Sequence, residues 1–310
     1  MRSTAIALAL LHSLASLGCG SADSAMALPS NVGGSAAGGG ATSGGTGTGG
    51  VAGARDAGLA GNGGTSTAGM VGHGVLILVQ LSGEPSQVEL RARFGEGLAS
   101  ECPPVNTFGN CSLHLCPTTD PSPPSGVVRA GVVSAVSAPV GLALSSAPDD
   151  QSPTDWYPDV QQTLVGDFAG GEAVTFAATG GVVPPFSQEL TMLAPLVLTQ
   201  PSSNAFSIPI SRDGVTLTWR PGEAGTEVRA AAFGGDGTFT FMECAWDASA
   251  GTGLLPPEIL KSLRNGQEMV VTGRRQVAQA AGRFTIEMSA LIGAQAVDGS
   301  PRALVLTDPL

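Results

Sequence analysis

Cys102, Cys111, Cys116 and Cys244 are the residues whose type and number say most about chemistry in this chain. Four is an even number, and in an oxidising compartment it predicts two disulfides drawn from three connectivities. A thiolate metal site fits less well, because Cys111-(x4)-Cys116 lacks a CxxC partner and only His114 lies nearby. A second group is acidic. Asp149, Asp150, Asp155 and Asp159 surround Trp156-Tyr157. Hard cations prefer carboxylates, so this stretch is a candidate Ca²⁺ loop, although its spacing does not match an EF-hand. The paired aromatics could stack on a sugar or dock a protein. The plainer alternatives are a solvated acidic loop and aromatics packed over the end of a sandwich. A carboxylate pair also serves glycoside hydrolysis, where separation decides the chemistry.

Nucleophilic hydrolysis needs a base beside Ser, Cys or Thr. Downstream of residue 70 the only histidines are His73 and His114, and the lone lysine is Lys261. No Gly-x-Ser-x-Gly, His-Glu-x-x-His or Ser-x-x-Lys pattern occurs. The chain is therefore expected to be non-enzymatic, with no cofactor and no catalytic residue, and a hydrolase built around His114 is the minor alternative.

The fifth cysteine, Cys19, ends an apolar run. Arg2 gives the positive start of a secretory signal, and the run that follows is roughly 14 residues, too short to cross a hydrocarbon core of about 30 Å. Its close, Ser16-Leu17-Gly18-Cys19, resembles a bacterial lipobox, with Ser16 at the place where Leu is usual. The resemblance implies a thiol that is lipidated and becomes the new N-terminus. Acyl chains would then hold the protein at about 0.8 kcal/mol per buried methylene. Gly20, rather than Asp, implies the outer membrane in preference to the inner one. An ordinary cleavable signal peptide is the alternative reading of residues 1–19.

Composition bounds the partners. A formal charge of −11 argues against nucleic acid or an anionic lipid surface, both of which require clustered Lys and Arg. The single Lys against thirteen Arg reflects the bias of a GC-rich genome rather than chemistry. Residues 20–70 are almost all Gly, Ala, Ser and Thr and cannot bury enough apolar area to offset their ordering entropy. They are expected to be a disordered linker, with an r.m.s. span of roughly 40 Å.

The elements that must position the chemistry follow from residue 71 onward. Residues 74–81 and 87–94 read as a hairpin, with Val88, Leu90, Ala92 and Phe94 alternating with polar residues. Residues 95–126 read as a cysteine- and proline-rich excursion that cannot sit inside a sheet, because four prolines fall between Pro117 and Pro124. Further strands are expected over 127–135, 140–145, 163–165, 173–177, 190–198, 206–210, 215–219, 227–232, 238–245, 269–272, 283–290 and 303–306. Short strands bounded by Gly, Pro, Asn and Asp predict an all-β antiparallel sandwich, either one large unit or two packed ones. A seam is expected near residues 199–201, and if all four cysteines pair, one bridge must cross it to Cys244. Pro256 and Pro257 open a short exposed helix that carries Glu258 and Lys261.

Three stretches together carry a family resemblance. They are Cys102…Gly109-Asn110-Cys111-(x4)-Cys116, then Arg212-Asp213-Gly214-Val215-Thr216-Leu217-Thr218-Trp219-Arg220-Pro221, then Cys244 followed by Leu254-Leu255-Pro256-Pro257-Glu258. They resemble uncharacterised β-sandwich lipoproteins of GC-rich bacteria, in which a glycine-rich tether precedes a cysteine-stapled domain of immunoglobulin or fibronectin type. The resemblance implies architecture and no catalytic residues. The expected function is that of a membrane-anchored envelope module for protein interaction or structure, held by lipid on Cys19 and meeting an envelope protein or glycan, with a carbohydrate- or Ca²⁺-binding module as the alternative.

Overall fold

In the computed structural model, residues 72–81, 87–96, 104–116, 128–148, 157–164, 168–203, 205–235, 239–263 and 267–307 are described. Their strands are β1 (Gly72–Leu81), β2 (Gln87–Glu96), β3 (Pro104–Phe108), β4 (Cys111–Cys116), β5 (Val133–Ser137), β6 (Leu142–Ser146), β7 (Val160–Thr163), β8 (Ala173–Ala178) and β9 (Phe186–Thr191). Then come β10 (Leu196–Gln200), β11 (Ser207–Ser211), β12 (Val215–Trp219), β13 (Glu227–Gly235), β14 (Phe239–Asp247), β15 (Thr252–Leu255), β16 (Glu268–Ala281), β17 (Phe284–Gln295) and β18 (Ala303–Thr307). The protein is all-β, as expected, and most ladders are antiparallel; β1 and β10 each pair in parallel with β17, and β11 with β18.

Period-2 alternation builds the first core. Leu76 and Leu78 of β1, Val88, Leu90, Ala92 and Phe94 of β2, and Phe284, Ile286, Met288 and Ala290 of β17 share one face. A separate four-stranded sheet, β6-β5-β8-β9, lies against it and contributes Leu142, Leu144, Val133, Ala135, Val174, Phe176, Phe186 and Leu190. Gly74 is required at its place in β1, because a Cβ there would lie 2.5 Å from Phe94 and 2.7 Å from Ile286. The edge between the two layers is clasped by Gln162 of β7, which donates from Nε2 to Gly141 O at 3.2 Å and accepts from Ala143 N–H at 3.3 Å.

A second core uses the other half of the large sheet. Val228, Ala230 and Ala232 of β13, Met242, Cys244 and Trp246 of β14, Cys111 and Leu113 of β4, and Met269 and Val271 of β16 face inward. The layer opposite is β10-β12-β15, carrying Leu196, Leu198, Leu217, Trp219 and Leu255, together with the single turn α1 (Pro257–Leu260).

Two long strands serve both cores. Along the inward face of β16, Met269 and Val271 belong to the second core and Val277 and Ala281 to the first; along β17, Phe284 to Ala290 belong to the first and Ile292 and Ala294 to the second. Arg275 stands at the changeover, donating from Nη1 to Thr191 O at 3.0 Å and pairing with Glu223. Elsewhere the clusters change over between Met192 and Leu193.

Several expectations are corrected. Part of the 95–126 stretch does sit inside the sheet: β3 and β4 form a hairpin about Gly109-Asn110, with β4 paired to β14. The reason is that Val105–Leu115 contains no proline, and Pro104 opens β3 at a sheet edge, where a missing N–H is tolerated. Pro117–Pro124 lie outside the described residues. The run expected over 190–198 is two strands in different sheets, β9 and β10, parted at Pro195. Strand β15 was not foreseen, since Thr252-Gly253-Leu254-Leu255 is short and glycine-broken. Helix α1 is not an exposed connector: Ile259, Leu260 and Leu263 are buried in the second core, while Glu258, Lys261 and Ser262 face solvent.

Candidate functional site

Within the first core, β1, β2 and the middle of β17 are not half-solvated, as simple alternation suggests. Their opposite face is also buried, and it carries paired charge. Glu89 and Arg91 of β2 are 2% and 3% exposed. The register sets the pattern. Arg93 lies opposite Val75, Arg91 opposite Ile77 and Glu89 opposite Val79, and across β1 these face Glu287, Ser289 and Leu291 of β17. Three valine and isoleucine side chains thus separate a charged row on β2 from another on β17 and β16.

Several of these charges have a partner nearby. Arg91 Nε donates to Glu89 and lies 4.0 Å from Asp159 Oδ1, while Gln161 Nε2 donates to Glu89 Oε2 at 3.0 Å. Arg274 of β16 donates from Nε to Ser289 Oγ at 3.4 Å and lies 3.9 Å from Glu227. Burial, and then the neighbouring Arg229 guanidinium, push Arg274 down to about 10, against the pull of Glu227, Glu243 and Glu287. Arg229 donates from Nε to Glu227 at 2.9 Å and also pairs with Glu243. At the start of β1, His73 Nε2 and Glu287 Oε2 approach to 3.9 Å, and neither of these two buried atoms makes a hydrogen bond.

Chemically this band is a neutralised network. Glu89, Glu227 and Glu243 are paired with guanidiniums, and removing one partner from a buried pair leaves an uncompensated charge, which is the costly event. It contains no nucleophile poised against a base. Sequence reading passed over it because Glu89-x-Arg91-x-Arg93 looks like an ordinary solvent face. The available signal was the concentration of three charges within five residues of a chain that is only 13% charged.

The second structural centre is the cysteine bridge. Cys111 and Cys244 stand directly opposite each other on β4 and β14 and are joined by a fully buried disulfide. It fastens the β3–β4 hairpin to the sheet over the second core, where Trp219 and Trp246 pack at 6.0 Å between centroids. Trp219 Nε1 donates to Ala248 O at 2.8 Å. Cys102 lies outside the described residues, and of Cys116 only the backbone, within β4, is described. His114 of the same hairpin packs its ring 5.3 Å from that of Phe241.

The candidate loop fares differently. Asp149, Asp150, Asp155 and Trp156 lie outside the described residues, as does Cys19. Tyr157 is described, and it does not offer its ring to a ligand. It is buried in the first core, edge-on to Phe94 at 5.6 Å, and its Oη accepts from Ala130 N–H at 2.8 Å. Burial raises its pKa, a shift opposed by the Ala130 hydrogen bond and by Arg129. Asp159 faces Arg91. Among the described residues, no three His, Cys, Asp or Glu side chains gather closely enough to hold a metal ion. No helix of the described residues is long and apolar enough to cross a membrane.

Searches against protein-family models and against curated proteins return no significant match to this chain.

Proposed function

We propose that this chain is an exported, lipid-anchored envelope protein whose all-β domain acts without catalysis, as a protein-interaction or structural module. The observation that carries the reading is the buried Cys111–Cys244 disulfide, because such bridges form and persist in oxidising compartments. Residues 1–19 supply the route, with Arg2, a short apolar run and Cys19 as the acyl acceptor. Residues 20–70 act as the spacer between anchor and domain. The formal charge of −11 supports a partner other than nucleic acid, namely an envelope protein or glycan.

Metabolic labelling with a clickable fatty acid tests the anchor. In an expressing bacterium, wild-type chain should take up label and fractionate with the outer membrane, and Cys19→Ala should lose both. Unlabelled wild-type protein released to the periplasm would overturn the lipid anchor and leave an ordinary signal peptide.

A further inference from the structure

We infer that β1, β16 and β17 form a force-resisting spine, which holds when the domain is pulled by its N-terminal segment against the second core. The inference rests on the anchored reading above, in which tension from Cys19 reaches the domain at Gly72. The first described strand of a domain is often an edge. Here β1 lies inside the sheet, paired along its length with β2 on one side and with β17 on the other. Its pairing to β17 is parallel, from Gly72↔Phe284 to Gln80↔Ile292. The start of β1 therefore sits beside the start of β17, and the end of β17 runs on into the second core, where Ile292 and Ala294 are packed.

That geometry fixes how a load is shared. A force entering at Gly72 and resisted by the second core is directed along the strand axis, so every rung between β1 and its two neighbours strains together. A force applied across the ladder at one end opens one rung, then the next. A parallel ladder has evenly spaced rungs, which suits simultaneous loading. The start of β1 is also covered on both faces. The Phe284 ring lies over Gly72, where an added Cβ would meet it at 2.1 Å, and Phe94 and Ile286 close over Gly74. On the reverse face His73 meets Glu287. Because β16 and β17 run unbroken through both cores, the load passes between the cores along continuous backbone as well as through side-chain packing.

Single-molecule force spectroscopy on the oxidised full chain tests this, since forced rupture reads the unfolding barrier. One handle is attached at Cys19. The second is placed either at Val297, just beyond β17 and 66% exposed, through Val297→Cys, or at the exposed Ala280 on β16 beside Phe284 and Gly72, through Ala280→Cys. Both sites are solvent-facing, and a circular-dichroism melt confirms that each variant folds as wild type. Pulling at Val297 should require several-fold more force than pulling at Ala280. Equal forces, or the weaker response at Val297, would overturn the inference. The handle replaces the membrane, so this result is independent of whether Cys19 is acylated, which the labelling experiment decides.

Discussion

In the first core the layer facing β1, β2 and β17 is a separate sheet, β6-β5-β8-β9, whereas in the second core the facing layer, β10-β12-β15, is hydrogen-bonded to β17 itself. A sheet without a shared ladder is held by its side chains. The first core accordingly gathers Phe94, Tyr157, Phe168, Phe176, Phe186 and Phe284 and closes its edge with the Gln162 clasp. The second core has backbone continuity at one edge, and it adds the Cys111–Cys244 bridge and the Trp219–Trp246 pair. Two sandwiches on common strands thus meet the same requirement, keeping two layers together, by different means. The comparison teaches that the layer without a shared ladder relies on a cluster of buried rings, whereas the layer joined to β17 by backbone hydrogen bonds sits in a core that adds a covalent bridge.

The sharpest way to break the contrast is to open the aromatic core. Phe176→Ala removes a fully buried ring from the separate sheet and should destabilise by about 3–5 kcal/mol. Because β16 and β17 are common to both cores, chemical denaturation should still show one transition at a lower midpoint; two separated transitions would mean that the cores unfold independently. Removing the bridge with Cys111→Ala and Cys244→Ala together should cost about 2–4 kcal/mol. A melt of the oxidised protein with and without reductant gives the comparison, and an unchanged midpoint would reduce the bridge to an ornament of an already stable edge.

Tyr157 offers a spectroscopic test of the first core, since it is the only tyrosine in the chain. Its raised pKa means that the folded state holds the phenolic proton more tightly than the unfolded state. The stabilisation is therefore fully present below the ordinary tyrosine pKa near 10 and is lost as pH rises above it. Tyrosinate absorbance should appear only as the domain unfolds in alkali, and a reversible titration near pH 10 in the folded protein would contradict the burial. Tyr157→Phe leaves the buried Ala130 N–H without its acceptor and should cost about 1–3 kcal/mol. The smallest effect is expected at the junction. Arg275→Ala gives up the bond to Thr191 O and the pairing with exposed Glu223, for a loss of about 1 kcal/mol in denaturant midpoint measurements.

Much of the architecture was legible in the chain, and the reasons differ from place to place. Val88, Leu90, Ala92 and Phe94 alternate so strictly that β2 and its hairpin with β1 could be read directly. Val215–Trp219 was legible because Asp213-Gly214 punctuates one end. The hairpin of β3 and β4 was hidden by its neighbours: prolines at 103, 104, 117 and beyond dominate the composition of a stretch whose interior is free of them. Tyr157 carried two readings, a ring offered to a ligand and a ring packed over the sandwich, and its context of Pro and Asp on both sides did not choose between them; the ring packs, against Phe94 from a strand more than sixty residues earlier.

What the sequence determined by itself is the class of structure and the chemistry on offer: strands by period-2 alternation, turns by Gly, Pro and Asp, and cysteines able to bridge. Those are local signals, carried by the stereochemistry of a few consecutive residues. Only the tertiary structure decided that β16 and β17 serve two cores, that the charged side of β2 is buried, and that Cys111 meets Cys244. Each of these depends on register between strands far apart in the chain. A shift of one residue would turn every side chain to the other face, and no local pattern states which distant strand supplies the partner.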